Sequence, residues 1–147
     1  MKRTAFIILL ICCVCILSLE SRADALPDKE IVEINEKFFI QQCDDVYLNP
    51  DYYEDKLIKI EGLCAIWDEN GETRYRVYRT TPGCCGFDGE SGFRFLYNGK
   101  EKLSAKDWIS LTASVKLGTS DFGFRTVVLD ALELSIKAER GAEFVRN

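Results

Sequence analysis

The chain has 147 residues, with 19 Lys and Arg against 24 Asp and Glu, seven Cys and no His. Without histidine it cannot form a Ser-His or Cys-His nucleophile pair, and it has no imidazole base or imidazole metal ligand. The net charge of −5 provides no overall basic surface for a phosphate backbone, so we expect no nucleic acid partner. These limits favour a small binding domain over an enzyme.

The N-terminal residues have the composition of a signal peptide. Lys2 and Arg3 precede an apolar run at residues 5–19, which is shorter than the roughly 20 residues that a helix needs to cross a bilayer. Small residues at Ala23-Asp24-Ala25 form an A-x-A cleavage pattern. We therefore predict residues 1–25 as a signal peptide and residues 26–147 as a single exported domain, periplasmic or extracellular. The alternative is an uncleaved segment that attaches the domain to a membrane.

The first predicted element of this domain is a short amphipathic helix that follows a polar lead at residues 28–34. Phe39, Cys43 and Val46 recur at helical spacing, and Asn35 is a candidate N-cap. Asn49-Pro50 would end the helix.

Five segments of alternating apolar and polar residues follow and predict strands. In chain order they are residues 58–66, 73–79, 93–97, 109–115 and 124–136. Asn70-Gly71 predicts a hairpin turn between the first two, and a glycine-rich segment at residues 82–92 separates the second from the third. The alternation places Cys64 on the core side. The last strand breaks its alternation at residues 127–129, which predicts a bulge near Asp130.

The number and length of these strands decide the fold class. Five short strands with turns between them predict a mainly β protein, a small five-stranded OB-like barrel preceded by a short α-helix. An open α+β sheet packed under the helix is the alternative.

Four motifs resemble one family of proteins. They are Asn49-Pro50-Asp51-Tyr52-Tyr53, the strand glycine Gly62, Cys84-Cys85-Gly86-Phe87-Asp88, and Trp108 at the start of a strand. Together they resemble the soluble C-terminal domain of the YcgQ-type family of bacterial membrane proteins, companions of a predicted two-component permease. The resemblance covers about residues 30–137. It implies an OB-like fold and a membrane permease as partner. It also implies that the relatives take part in metal handling.

The glycine-rich segment with two adjacent cysteines is the candidate functional loop. Thiolates are soft donors suited to Zn or Cu(I), and Asp88 is near enough in sequence to add a carboxylate. We therefore predict Cys84, Cys85 and Asp88 as metal ligands, with zinc as the candidate cofactor.

Other states of the cysteines remain open. Cys84 or Cys85 could form a disulfide with Cys43 or Cys64, the two could form a vicinal disulfide, or they could be reduced and inert. Four cysteines after cleavage allow three pairings, and the spacing does not choose among them. We expect Cys64, together with the strand residues Gly62 and Trp108, to be structural.

The sequence thus predicts an exported, non-enzymatic binding domain that holds a metal through its Cys-Cys-x-x-Asp loop and assists a membrane transport system. The alternative is a structural interaction module at the cell surface whose cysteines form disulfides. Arg74, Arg76 and Arg79 interleave with Tyr75 and Tyr78, as basic and aromatic side chains do on OB surfaces that bind single-stranded nucleic acid. The negative net charge favours a solvated strand face instead.

Overall fold

The computed structural model describes residues 28–83, 88–120 and 123–146. The elements, in chain order, are strand β1 (Ile31–Glu33), a 3₁₀ turn (Glu36–Phe38), helices α1 (Phe39–Leu48) and α2 (Pro50–Tyr53), and strands β2 (Leu57–Glu69), β3 (Glu72–Thr81), β4 (Gly89–Leu96), β5 (Trp108–Thr119) and β6 (Arg125–Ile136). The predicted signal peptide at residues 1–25 lies outside the described residues. Within the described ranges, no helix is long and apolar enough to cross a membrane.

Five long strands close a barrel. They are hydrogen-bonded in the order β2-β3-β4-β6-β5, and β5 pairs again with β2. Strands β4 and β6 are parallel, whereas the other pairs around the barrel are antiparallel. The predicted mainly β fold, an OB-like barrel preceded by a short helix, is therefore confirmed. The open α+β sheet is wrong, because the β2–β5 ladder closes the sheet.

A change of pairing partner along β2 makes this closure possible. Residues 57–63 of β2 pair with β5, and residues 63–69 pair with β3. Gly62 lies where the partner changes, and a Cβ atom there would lie 2.6 Å from the carbonyl oxygen of Tyr78. Glycine is needed at this position because the two backbones approach so closely.

The core combines the inner face of the barrel with one face of α1. Phe39, Cys43 and Val46 of α1 are fully buried, and so is Cys64 of β2. The alternation of β2 predicted that Cys64 points inward. Full burial of a large apolar side chain contributes about 1.5–3 kcal/mol relative to exposure, so α1 is held mainly by its packing against the barrel.

The elements before β2 differ from the sequence prediction. Asn35 does not cap the main helix; its side chain accepts a hydrogen bond from the backbone N–H of Lys37 in the 3₁₀ turn, and α1 begins at Phe39. Pro50 ends α1 as predicted and also begins the short helix α2. Strand β1 was missed because it has only three residues, and it is defined by parallel pairing with β2.

Strand β4 begins earlier than predicted. Residues 89–92, predicted as part of the glycine-rich loop, pair with residues 78–81 of β3. At Gly92 the φ angle is +147°, and a Cβ atom would lie 2.0 Å from the carbonyl oxygen of Val77. The glycine here serves a close strand approach rather than a loop. The predicted bulge lies two residues beyond Asp130, where a register shift leaves Leu132 without a partner in β5.

A buried arginine joins the C-terminal segment to the barrel. Arg79 of β3 is 3% exposed, and its guanidinium lies 4.9 Å from the ring centres of both Phe39 and Trp108. Its Nε donates to the carbonyl oxygen of Glu61 at 2.9 Å, and its Nη1 contacts the Glu36 carboxylate at 2.8 Å. The buried guanidinium is therefore both hydrogen-bonded and paired with a carboxylate, as burial of a charge requires.

Glu36 completes this cluster. Its carboxylate also accepts a hydrogen bond from the backbone N–H of Ala142 at 2.9 Å. That backbone hydrogen bond and the Arg79 guanidinium lower the pKa of Glu36 below its usual value. Thr80 hydrogen-bonds Glu143 and Val145 through its backbone N–H and carbonyl, so the segment at residues 142–145 is held against the end of β3.

Candidate functional site

The predicted metal loop connects β3 to β4. Thr81 pairs with Gly89, so residues 82–88 form the connection of a hairpin. Cys84 and Cys85 lie outside the described residues. Asp88, the third predicted ligand, is exposed and comes directly before β4. In the described part of the chain, no group of three or more Cys, Asp or Glu residues is placed to hold a metal ion, and the three-residue ligand set stays a prediction.

The two other cysteines of the predicted domain do not belong to this loop. Cys43 and Cys64 are both free thiols with 0% exposure. Burial raises the pKa of Cys43 to about 12 and that of Cys64 to about 11. Both are therefore protonated at neutral pH, and a protonated thiol is neither a nucleophile nor a metal ligand. Both thiols are free in the structure, so the alternative in which the loop forms a disulfide with Cys43 or Cys64 has no support.

A cavity on the outer face of the barrel was not predicted from the sequence. Its volume is about 460 Å³. A row of paired residues crosses this face over four neighbouring strands, from Ala65 through Arg76 and Arg94 to Val128. Residues that line the cavity include Tyr47, Ala65, Trp67, Arg76, Glu90 and Arg94.

The charged side chains of this face form ion pairs across the strands. Nη1 of Arg76 lies 2.8 Å from the carboxylate of Glu90, and Nη2 donates to the Glu90 carbonyl oxygen at 3.2 Å. Arg94 lies 3.9 Å from Glu69, which also contacts Arg74 at 2.9 Å. The face therefore combines donors and acceptors and has little net charge, which agrees with a solvated strand face more than with a surface for a polyanion.

Two aromatic side chains complete the cavity. The guanidinium carbon of Arg94 lies 5.4 Å from the centre of the Trp67 ring. Tyr47 of α1 stacks on Phe93 at 5.0 Å and donates its hydroxyl to the carbonyl oxygen of Gly92 at 2.9 Å. Burial raises the pKa of Tyr47 to about 12, so this hydroxyl remains a donor at neutral pH. Both rings present apolar surface beside the ion pairs.

The basic and aromatic interleaving on β3 was visible in the sequence, but the cavity was not predicted. Arg76 and its partner Glu90 are 14 residues apart, and only the strand register brings them together. The interleaving of Arg74, Arg76 and Arg79 with Tyr75 and Tyr78 was the one signal available, and its inclusion of Arg79 was wrong, because that side chain is buried. The signal identified the face and did not identify the acidic partners or the aromatic wall formed by α1.

Comparison with known proteins finds a family that matches most of the chain. The family described as DUF1980 C-terminal domain matches residues 18–130. Among curated proteins, the iron–sulfur cluster insertion protein ErpA of Shewanella denitrificans is 33% identical over 90 residues, which cover 61% of this chain and 72% of ErpA.

Solved structures with a similar fold share little sequence with the chain. A small single-stranded DNA-binding protein from Streptomyces coelicolor is 17% identical, with a TM-score of 0.37 over 58% of this chain and 95% of its own. The OBody NL8, solved bound to hen egg-white lysozyme, is 16% identical, with a TM-score of 0.37 over 59% and 100%. The mitochondrial single-stranded DNA-binding protein Rim1 of S. cerevisiae is 11% identical, with a TM-score of 0.33 over 58% and 97%.

Proposed function

The chain belongs to the DUF1980 C-terminal domain family, and we propose that it is an exported binding domain that holds a zinc ion with Cys84, Cys85 and Asp88. The register of the β3–β4 hairpin carries this proposal. Because Thr81 pairs with Gly89, all three ligands belong to one short connection whose ends are close together. Asp88 is exposed at one end of that connection, where a carboxylate is accessible to an ion from solvent.

The burial of the other two thiols limits the ligand set. Cys43 and Cys64 are in the core and protonated, so they supply no thiolate to the loop. The loop then offers three protein ligands to an ion that normally takes four, and one position is left open. An incomplete ligand set suits an ion that is accepted and passed on, rather than one that is locked into the fold.

This property supports an accessory role in transport. We propose that the chain is a YcgQ-type protein, that residues 1–25 direct its export, and that it delivers metal to a membrane permease. In the host, loss of the chain should lower the uptake of zinc measured with a radioactive tracer. Restoring it with Cys84→Ser should fail to recover uptake, whereas restoring it with Asp44→Asn, an exposed carboxylate on α1, should recover it.

Zinc titration of the reduced, processed protein by calorimetry tests the site itself. We expect saturable binding of one zinc ion, a loss of at least tenfold in affinity for Cys84→Ser, and a smaller loss for Asp88→Asn, because oxygen is a harder donor than thiolate. Affinity should fall with pH since each thiol must lose a proton to bind. Cys64→Ala is the control and should bind as the wild type does. Equal binding by wild type and Cys84→Ser, or none, overturns the proposal.

The structural alternative gives a different cysteine count. If the protein is an interaction module held by disulfides, the two free core thiols leave the Cys84–Cys85 pair to be oxidised within one processed chain of residues 26–147. Alkylation of the denatured, unreduced protein would then modify Cys43 and Cys64 alone. The metal proposal expects four modified cysteines.

A second candidate is the handling of iron–sulfur clusters, and the similarity to ErpA favours it. Such clusters are usually held by four thiolates, whereas the loop of one chain has two. A cluster would therefore have to bridge the loops of two copies. Anaerobic incubation of the reduced protein with ferric iron and sulfide should give visible absorption together with a dimer on size exclusion. Absorption that is equal in Cys84→Ser would exclude this candidate.

A further inference from the structure

We propose that the cavity between Tyr47, Trp67 and the Arg76–Glu90 pair binds an oligosaccharide, independently of any metal in the β3–β4 loop. The cavity volume of about 460 Å³ falls within the range of about 300–1,000 Å³ that is typical of small-molecule sites. OB-folds bind oligonucleotides and oligosaccharides on the face of their second and third barrel strands, which are β3 and β4 here. The charges and rings decide between these two classes.

The paired charges favour a ligand with hydroxyl groups. A hydroxyl both donates and accepts a hydrogen bond, so it needs an N–H donor and a carboxylate acceptor side by side. Arg76 and Glu90 provide this combination at 2.8 Å, and both side chains are partly exposed, at 30% and 46%. A phosphate only accepts, so it would have to compete with the Glu90 and Glu69 carboxylates for the arginine donors of this face.

The aromatic walls favour a ring-shaped ligand. The C–H face of a pyranose is apolar, and it is complementary to an aromatic ring with polar groups at the rim. Tyr47 and Trp67 both line the cavity, and the Tyr47 hydroxyl is engaged with the Gly92 carbonyl, so the ring is fixed in orientation. A wall that is already ordered costs little conformational entropy on binding.

A second, smaller cavity extends the site along the same face. It has a volume of about 200 Å³, and its lining includes Glu69, Arg74 and Leu96. Arg94 lines both cavities. The second cavity repeats the arginine–glutamate pairing of the first, since Arg74 lies 2.9 Å from Glu69. Two neighbouring subsites of the same chemistry fit a ligand of linked rings better than a monosaccharide.

The small side chain of Ala65 leaves the space open. Ala65 of β2 pairs with Arg76 of β3, and its side chain is only a methyl group. A larger apolar residue on this outer face would occupy the volume without removing a charge or entering the core. Ala65→Leu is therefore a variant that closes the site and keeps the barrel.

The test begins with a glycan array that displays neutral and acidic oligosaccharides, and continues by calorimetry with the strongest binder. We expect saturable binding, at least a tenfold loss for Trp67→Ala and for Ala65→Leu, and no change for Arg140→Ala, which lies in the C-terminal segment outside both cavities. Thermal melting confirms that each variant is folded. Cys84→Ser should bind the oligosaccharide as the wild type does, which separates this site from the metal loop.

Three results would overturn the inference. The first is the absence of saturable binding to any oligosaccharide on the array at millimolar concentration. The second is equal binding by Ala65→Leu and the wild type. The third concerns the alternative macromolecule. A fifteen-residue oligothymidine that binds more tightly than any oligosaccharide, and loses affinity in Trp67→Ala, would assign the face to nucleic acid.

Discussion

Two regions of the barrel bring arginine, glutamate and tryptophan together, and they differ in access to solvent. At the C-terminal end of β3, the Arg79 side chain is 4% exposed and lies between Phe39 and Trp108. On the outer face, the Arg94 side chain is 42% exposed and lies over Trp67. The same residue types therefore serve two purposes. One cluster is closed by the C-terminal segment, and the other faces a cavity.

The role of each arginine depends on the groups that surround it. The guanidinium of Arg79 has its donors directed to Glu36, Glu61 and Ala142, so a ligand would have to displace protein groups. Arg76 has one carboxylate partner at the edge of an open cavity. A ligand hydroxyl can join that pair without breaking it. Stability should depend on the first cluster, and binding on the second.

Replacing the buried arginine should have the largest effect on stability. Arg79→Ala removes two cation–π contacts and leaves the Glu61 and Ala142 carbonyl oxygens without their donor. Breaking a buried charge pair from one side typically costs about 3–5 kcal/mol, and we expect the lower end because Glu36 is half exposed. Urea unfolding measures the change. A loss below 1 kcal/mol would mean that this cluster does not hold the C-terminal segment.

The glutamate of the buried cluster should make stability depend on acid pH. The pKa of Glu36 is lowered from its usual 4.5 in the folded protein, so its contribution is fully present above that pH and is lost as pH falls through the folded value. Glu36→Gln should lower stability at pH 7 and flatten this acid limb. The measurement is urea unfolding from pH 3 to 7. An unchanged acid limb in Glu36→Gln would show that another group causes it.

The exposed arginine should behave in the opposite way. Arg76→Ala breaks a surface ion pair, and such pairs contribute about 0–1 kcal/mol. We expect a small change in the urea midpoint together with the loss of oligosaccharide affinity. If Arg79→Ala and Arg76→Ala lowered the free energy of unfolding equally, the two arginines would not differ in their contribution to stability.

The two tryptophans should differ in how accessible they are to a fluorescence quencher, and this is the smallest effect that we expect. Trp108 is 1% exposed, whereas Trp67 lines the open cavity. Acrylamide should quench the fluorescence of the wild type in two classes, and Trp67→Phe should remove the accessible class. Equal quenching in Trp67→Phe and wild type would mean that Trp67 is not the accessible tryptophan.

The fold was more accessible from sequence than the site, for a physical reason. Strand alternation is a local signal, and it located five strands and the inward direction of Cys64. The burial of Arg79 depends on residues 142–145, which show no periodicity and are placed only by hydrogen bonds to Thr80. The Arg76–Glu90 pair depends on the β3–β4 register. That register was obscured because the glycines of residues 89–92 suggested a loop.

We propose that the chain is an exported domain whose loop holds zinc with reduced cysteines. Native mass spectrometry of the mature protein, purified without chelators from its host, is the decisive test, since one mass reports the cleavage site, the thiol state and the bound ion. We expect a chain that begins at Leu26 and carries one zinc ion, which is absent from Cys84→Ser. A metal-free chain two hydrogens lighter than the fully reduced form, with Cys84 and Cys85 joined, would contradict it.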